Sequence, residues 1–95
     1  MTAYLVFTRL GTKDPEALAT YSAIAPGTTA GHDVTPLIAY GTYEVLEGPA
    51  HEGMVVLAFP TMEAARAFYD SPAYTAARAH RFKGAEYQVT LIQGV

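Results

Sequence analysis

Six consecutive apolar residues, Met54-Val55-Val56-Leu57-Ala58-Phe59, stand between a Gly-containing loop and Pro60-Thr61. A run so short and so bounded, with β-branched members, reads as a strand inside a sheet. Both of its faces are apolar: Val55, Leu57 and Phe59 on one, Met54, Val56 and Ala58 on the other. The stretch Ala3 to Leu10 repeats the pattern, with Leu5 and Phe7 opposed to Tyr4 and Val6. An antiparallel sheet with helices on one side and water on the other should alternate apolar and polar residues. These strands do not, so the chain must bring helices to one face and a second cover to the other. The simplest second cover is a symmetric copy of the same chain.

The remaining elements follow from local chemistry. Gly11-Thr12-Lys13 is a turn, and Asp14-Pro15-Glu16 starts a helix, with Asp14 as N-cap acceptor and Pro15 at the first helical position. That helix is expected to present Leu18, Tyr21 and Ile24 on one face and to stop near Pro26-Gly27. A polar stretch from Thr28 to Asp33 leads to two extended pieces, Thr35 to Tyr40 and Tyr43 to Glu47, bent at Gly41. A loop through Gly48-Pro49 and Glu52-Gly53 turns the chain into the apolar run. Thr61 caps a helix carrying Met62, Ala65, Phe68 and Tyr69; Asp70-Ser71-Pro72 breaks it and starts another, to about Phe82. Tyr87 to Gln93 is the last strand. The order β-α-β-β-α-β, with its second helix split, is that of an α+β, ferredoxin-like domain: a four-stranded antiparallel sheet with its helices on one face. Residues 1–95 make one domain, without repeats or linkers.

Composition narrows the function classes. Apolar residues make up 51% and charged residues 16%, a low charge content for a small domain and a further sign of a buried partner face. A net charge of −3 with scattered basic residues argues against nucleic acid. No apolar run is long enough to span a membrane and no signal peptide is visible, so a soluble, cytoplasmic protein is expected. Cysteine is absent, which removes disulfides, thiolate metal sites and a thiol nucleophile. His32, His51 and His80 have no metal-ligand spacing, and no Gly-rich phosphate loop or dinucleotide fingerprint occurs, so neither metal nor flavin nor nicotinamide is expected.

Beyond these patterns, Val55 to Tyr74, which reads VVLAFPTMEAARAFYDSPAY, closely resembles the signature of a widespread bacterial family of uncharacterised proteins in the dimeric α/β-barrel superfamily. Asp14-Pro15-Glu16, Leu46-Glu47-Gly48, Leu91-Ile92-Gln93-Gly94 and Arg81, seven residues after Tyr74, are similar to that pattern too. The resemblance covers nearly the whole chain and implies a homodimer, with a small-molecule cavity between facing sheets. The superfamily includes cofactor-free monooxygenases, lactone isomerases, polyketide cyclases and haem-binding enzymes. Two departures stand out: Asp33-Val34 where the family tends to carry Gly-Gly, and Ala39, next to Tyr40, where it often carries Arg.

Several residues could carry chemistry. His32 has the pKa range for proton transfer and Asp33 could orient or charge it, although neighbours in an extended segment point opposite ways and a plain polar loop is the competing reading. Arg81 suits a carboxylate or enolate through its fork of donors, or else pairs with Asp70 or Glu86 to fix its helix. His80 sits beside it and is expected at the surface; His51 is expected exposed in its loop. Arg9 ends an apolar stripe, as an anion hook at a cavity mouth or as a strand-edge charge. Among the seven tyrosines, Tyr21 and Tyr69 fall on apolar helix faces, while Tyr4, Tyr40 and Tyr87 are strand residues whose hydroxyls could bind a ligand oxygen. The resulting expectation is a cofactor-free enzyme acting by proton transfer on a small oxygenated molecule, as an isomerase, cyclase, lyase or monooxygenase. His32, Arg81 and Tyr21 would be its catalytic residues, with Arg9, Asp33, Tyr40, Tyr69 and His80 around the ligand. A binding protein without turnover is the alternative.

Overall fold

The computed structural model describes Met1–Val95 and contains four strands and three α-helices. In chain order these are β1 (Ala3–Thr12), α1 (Pro15–Ile24), a 3₁₀ turn (Ala25–Thr29), β2 (Thr35–Ala39), β3 (Gly53–Phe59), α2 (Met62–Tyr69), α3 (Pro72–Gly84) and β4 (Ala85–Gln93). The sheet is antiparallel throughout, in the order β2-β3-β1-β4. All helices lie on one face, so the molecule is a two-layer slab only 17 Å across its shortest axis. This is the ferredoxin-like α+β architecture expected from the element order.

Each helix begins where its capping residue sits. Asp14 Oδ1 accepts from the Glu16 and Ala17 N–H groups at 3.1 and 3.3 Å, Thr61 Oγ1 from Ala64 at 3.0 Å, and Ser71 Oγ from Tyr74 at 3.2 Å. Pro15 and Pro72 occupy first-turn positions where no N–H is needed.

Strand register sets the two faces. Leu5 stands opposite Leu57 and Leu91, and Phe7 opposite Val55 and Val89, so these residues share the helix-facing side. There Leu5, Phe7 and Phe59 join Tyr21, Ala65, Phe68, Tyr74 and Ala77 in one core. The other face carries Tyr4, Val6, Met54, Val56 and Ala58, all half-buried, with Ile38 and Ile92 more exposed at its margins. In the single chain β3 is therefore covered on one face, not both as its apolar run implied.

Three local expectations change. On α1 the buried residues are Ala17 and Tyr21, with Leu18 half-buried; Ile24 is exposed, because the chain tightens into the 3₁₀ turn there. The segment Tyr43 to Glu47 forms no strand: its residues are exposed and have no neighbouring strand to pair with. β2 is irregular between Pro36 and Ile38, where proline offers no N–H to the ladder.

Candidate functional site

A cavity of about 330 Å³ lies between the helix-facing side of the sheet and the end of α1 with its 3₁₀ turn. Phe7, Val55 and Leu57 form its floor, Ala25 and Pro26 stand on the helical side, and Phe68 closes one wall. Four tyrosines from four different segments complete it: Tyr21 from α1, Tyr40 just after β2, Tyr74 from α3 and Tyr87 from β4. The space is thus lined within one chain, on the opposite side of the sheet from the face expected to meet a partner. The cavity expected between two facing sheets would be a separate space, on that other face.

The tyrosine hydroxyls are paired. Tyr21 Oη and Tyr74 Oη are 2.7 Å apart and buried; Tyr40 Oη and Tyr87 Oη are 2.6 Å apart at the more open side. The Tyr21 and Tyr87 rings meet edge-on at 6.5 Å, which ties the two pairs into one cluster. Burial pushes all three of the Tyr21, Tyr40 and Tyr74 phenols above their usual range. At Tyr21 the neighbouring Tyr74 raises it further, and at Tyr40 the bond with Tyr87 does the same; at Tyr74 the hydrogen bond with Tyr21 and the Arg81 charge pull the other way. At neutral pH Tyr21, Tyr40 and Tyr74 are neutral phenols, which can donate to or accept from a ligand oxygen. No His, Asp or Glu side chain is among the lining residues.

Arg81 stands against this cluster from α3. It is 2% exposed, and its guanidinium carbon lies 5.1 Å from the Tyr87 ring and 5.0 Å from that of Phe82. Nη2 donates to Tyr69 Oη over a long 3.4 Å, and Nε has no partner. The acidic pairing considered for Arg81 is absent: Asp70 is held by Arg66 at 2.8 Å, and Glu86 makes no ion pair.

The other sequence candidates lie around this centre or away from it. Arg9 stacks over the Tyr40 ring at 4.9 Å, and its Nε is 3.2 Å from Glu52 Oε1, so its charge is largely spent. Tyr69 is half-buried beneath Arg78, whose guanidinium lies 4.4 Å above its ring, and does not line the main cavity. His32 is half-buried and packs edge-on to Phe68 at 5.5 Å, outside the lining itself. Asp33 is exposed and borders a hollow beside Tyr4 and Ala58, residues on the sheet face away from the helices. His80 is exposed on α3. His51 is not the free loop residue expected: it stacks on Tyr43 at 4.6 Å, and its Nδ1 accepts from the Gly53 N–H at 3.1 Å. No three His, Asp or Glu side chains come together as a metal site, and no helix is long and apolar enough to cross a membrane.

Sequence reasoning missed Tyr74 as a site residue. The signal was present in its spacing: Tyr74, Ala77 and Arg81 recur at helical intervals, and all three are buried on one side of α3.

Comparison with known proteins agrees with this architecture. Residues 2–95 match the family described as "Domain of unknown function (DUF1330)". No curated protein matches the sequence. Among solved structures, a protein of unknown function from Rhodopseudomonas palustris is 16% identical, with a TM-score of 0.76 over 99% of this chain and 82% of that one. A dimeric ferredoxin-like protein of unknown function from Thermobifida fusca is 15% identical, with a TM-score of 0.67 over 99% and 92%. SnoaB, a cofactor-independent oxygenase from Streptomyces nogalater, is 12% identical, with a TM-score of 0.64 over 99% and 93%. At these identities the likeness is one of fold.

Proposed function

The chain belongs to the DUF1330 family, and from that premise we propose that it is a homodimeric, cofactor-independent enzyme that binds a small oxygenated molecule in its tyrosine-lined cavity and acts on it by proton transfer. The observation that carries this reading is the meeting of four tyrosines, their hydroxyls in two bonded pairs, around a mainly apolar space of about 330 Å³ that Ser22 and Thr29 also line. Apolar walls with a few fixed polar groups are the general form of a small-molecule site. The volume suits a ligand of one or two rings, held by its apolar body and oriented through an oxygen.

Within this reading Tyr21 orients the ligand as a neutral donor, Tyr40 covers it, and Arg81 stabilises negative charge from behind. His32 is assigned the acid/base step; it packs from outside the lining against the wall residue Phe68 and would have to turn past that ring to meet a ligand. A general acid/base at that position would contribute about 10²–10⁴-fold. The fold is shared with a protein described as a cofactor-independent oxygenase, which is compatible with such chemistry. The second reading is binding without turnover, and a lining without His, Asp or Glu favours it. A cytoplasmic home accords with the cysteine-free sequence.

The test is a metabolite-capture screen followed by turnover assays on each retained compound. We expect retention by the wild type and its loss in Ala25→Phe, which fills the cavity from the helical side. Conversion of a retained compound, falling at least about a hundredfold in His32→Ala, would establish the enzyme reading with that histidine. Retention without conversion would leave a binding protein. Retention unchanged in Ala25→Phe would remove the cavity from consideration.

A further inference from the structure

Arg81 is the one charged side chain in the buried core, at 2% exposure, yet no carboxylate pairs with it. Nε is unpartnered and Nη2 makes only the 3.4 Å bond to Tyr69. A guanidinium cannot shed its proton to escape burial. A buried cation without its counter-charge is strongly unfavourable, so an anion brought near it relieves that cost. The place for that anion follows from the hydroxyls. Tyr74 lies seven residues before Arg81 on the same buried side of α3, and its Oη is 2.7 Å from Tyr21 Oη on the cavity wall. Beside a cation, hydroxyl dipoles turn oxygen inward and hydrogen away. Either hydroxyl of this pair can donate, and with an anion on Tyr21 the pair takes the sense in which Tyr74 donates to Tyr21 and the Tyr21 proton is directed into the cavity. Arg81 also opposes the rise in pKa at both phenols, so its field reaches the wall.

We propose that the cavity's ligand is a weak organic acid, a phenol or an enol, bound as its anion with the charged oxygen on Tyr21 Oη, and that Arg81 is the positioning residue that polarises the Tyr74–Tyr21 pair and supplies the compensating charge. This rests on the reading of the cavity as a small-molecule site, and it deepens that reading by naming the ligand class. Carboxylic acids fit less well, because their two oxygens would meet a single directed proton. The relay also gives the site a way to stabilise a developing enolate or phenolate, the task of preorganised donors in low-dielectric sites.

The probe pair is 4-nitrophenol, whose absorbance reports its ionisation, and 4-nitroanisole, its neutral methyl ether. Bound nitrophenol should ionise at least about one pH unit below the free compound, equivalent to about tenfold tighter binding of the anion. Arg81→Met should abolish that shift while leaving nitroanisole affinity within about threefold, and Arg81→Lys should restore part of it. Tyr21→Phe, which keeps the ring and removes the terminal donor, should lose the shift as well and serves if Arg81→Met does not fold. Nitroanisole binding as tightly as nitrophenolate, or a shift that survives in Arg81→Met or Tyr21→Phe, would overturn the anion proposal alone. Binding of neither probe would overturn the cavity reading and this proposal with it.

Discussion

Tyr40 carries a large side chain at φ 56°, in the left-handed region where non-glycine residues are strained by about 1–3 kcal/mol. Its surroundings hold it there. Its N–H reaches Met54 O at 2.9 Å, its hydroxyl bonds Tyr87, and Arg9 covers one face of the ring. The ring also lies against Gly53, itself at φ 150°, where a Cβ would come within 2.6 Å of Tyr40 Cδ1. Gly53→Ala must therefore push the ring off its seat and break the Tyr40–Tyr87 pair. We expect a loss of about 2 kcal/mol in urea unfolding and weaker ligand retention; unchanged stability would show that the ring has room to move. A second residue-scale outcome concerns pH. Tyr21 and Tyr74 titrate higher folded than the usual 10.0, so above pH 10 the unfolded chain releases these protons first. Their contribution is fully present below pH 10 and is lost as pH rises beyond it, by up to about 1.4 kcal/mol per pH unit for each group. Tyr21→Phe should flatten that fall in unfolding measured between pH 8 and 11.5. An equally steep fall in the variant would place the linkage elsewhere.

At the scale of elements, the crossing of α1 and α3 depends on one absent side chain. A Cβ on Gly84 would lie 2.5 Å from the Leu18 backbone nitrogen, and the Gly84 carbonyl accepts from the Lys13 and Asp14 N–H groups at 2.8 and 3.0 Å. Backbone cannot yield as a side chain can, so Gly84→Ala should destabilise by about 1–3 kcal/mol, with α1 moving as a body. A thermal midpoint equal to the wild type's would refute the close packing. Nothing in the sequence around Gly84 announces this contact, because it depends on a helix 66 positions away from Leu18. What the sequence does announce is local. Asp14, Thr61 and Ser71 cap helices through side-chain oxygens that accept from N–H groups two or three residues on, and each cap is where its residues placed it. Tyr43 to Glu47 shows the converse, since strand propensity without a neighbouring strand leaves only an exposed segment. The tyrosine cluster was half legible for the same reason. Tyr21, Tyr40 and Tyr87 stood out by residue type, but their pairing with Tyr74 and the isolation of Arg81 exist only once four segments converge.

For the molecule as a whole, the proposed reading gives the two faces of the sheet separate tasks, and one substitution can tell them apart. Val56 lies at the middle of the face away from the helices, directly across from Val6 and beside Ile38 on β2. Its neighbours Tyr4, Met54 and Ala58 complete an apolar surface that is only half-buried in the single chain. Structures of the same fold include a protein described as dimeric. If a second copy covers this face, Val56→Glu places an unpaired carboxylate at the centre of the interface. Such a charge weakens association by at least about 3 kcal/mol, or more than a hundredfold in Kd. Light scattering should show a wild-type dimer and a variant monomer near 10.2 kDa. A variant that stays dimeric would move the interface to another surface. The cavity lies behind the sheet and is lined within one chain by Tyr21, Tyr40, Tyr74 and Tyr87, so the monomer should still bind 4-nitrophenol within about threefold of the wild type. If binding vanished with the dimer, the site would have to be shared between subunits, as the resemblance first implied, and the tyrosine cavity would be only a part of it.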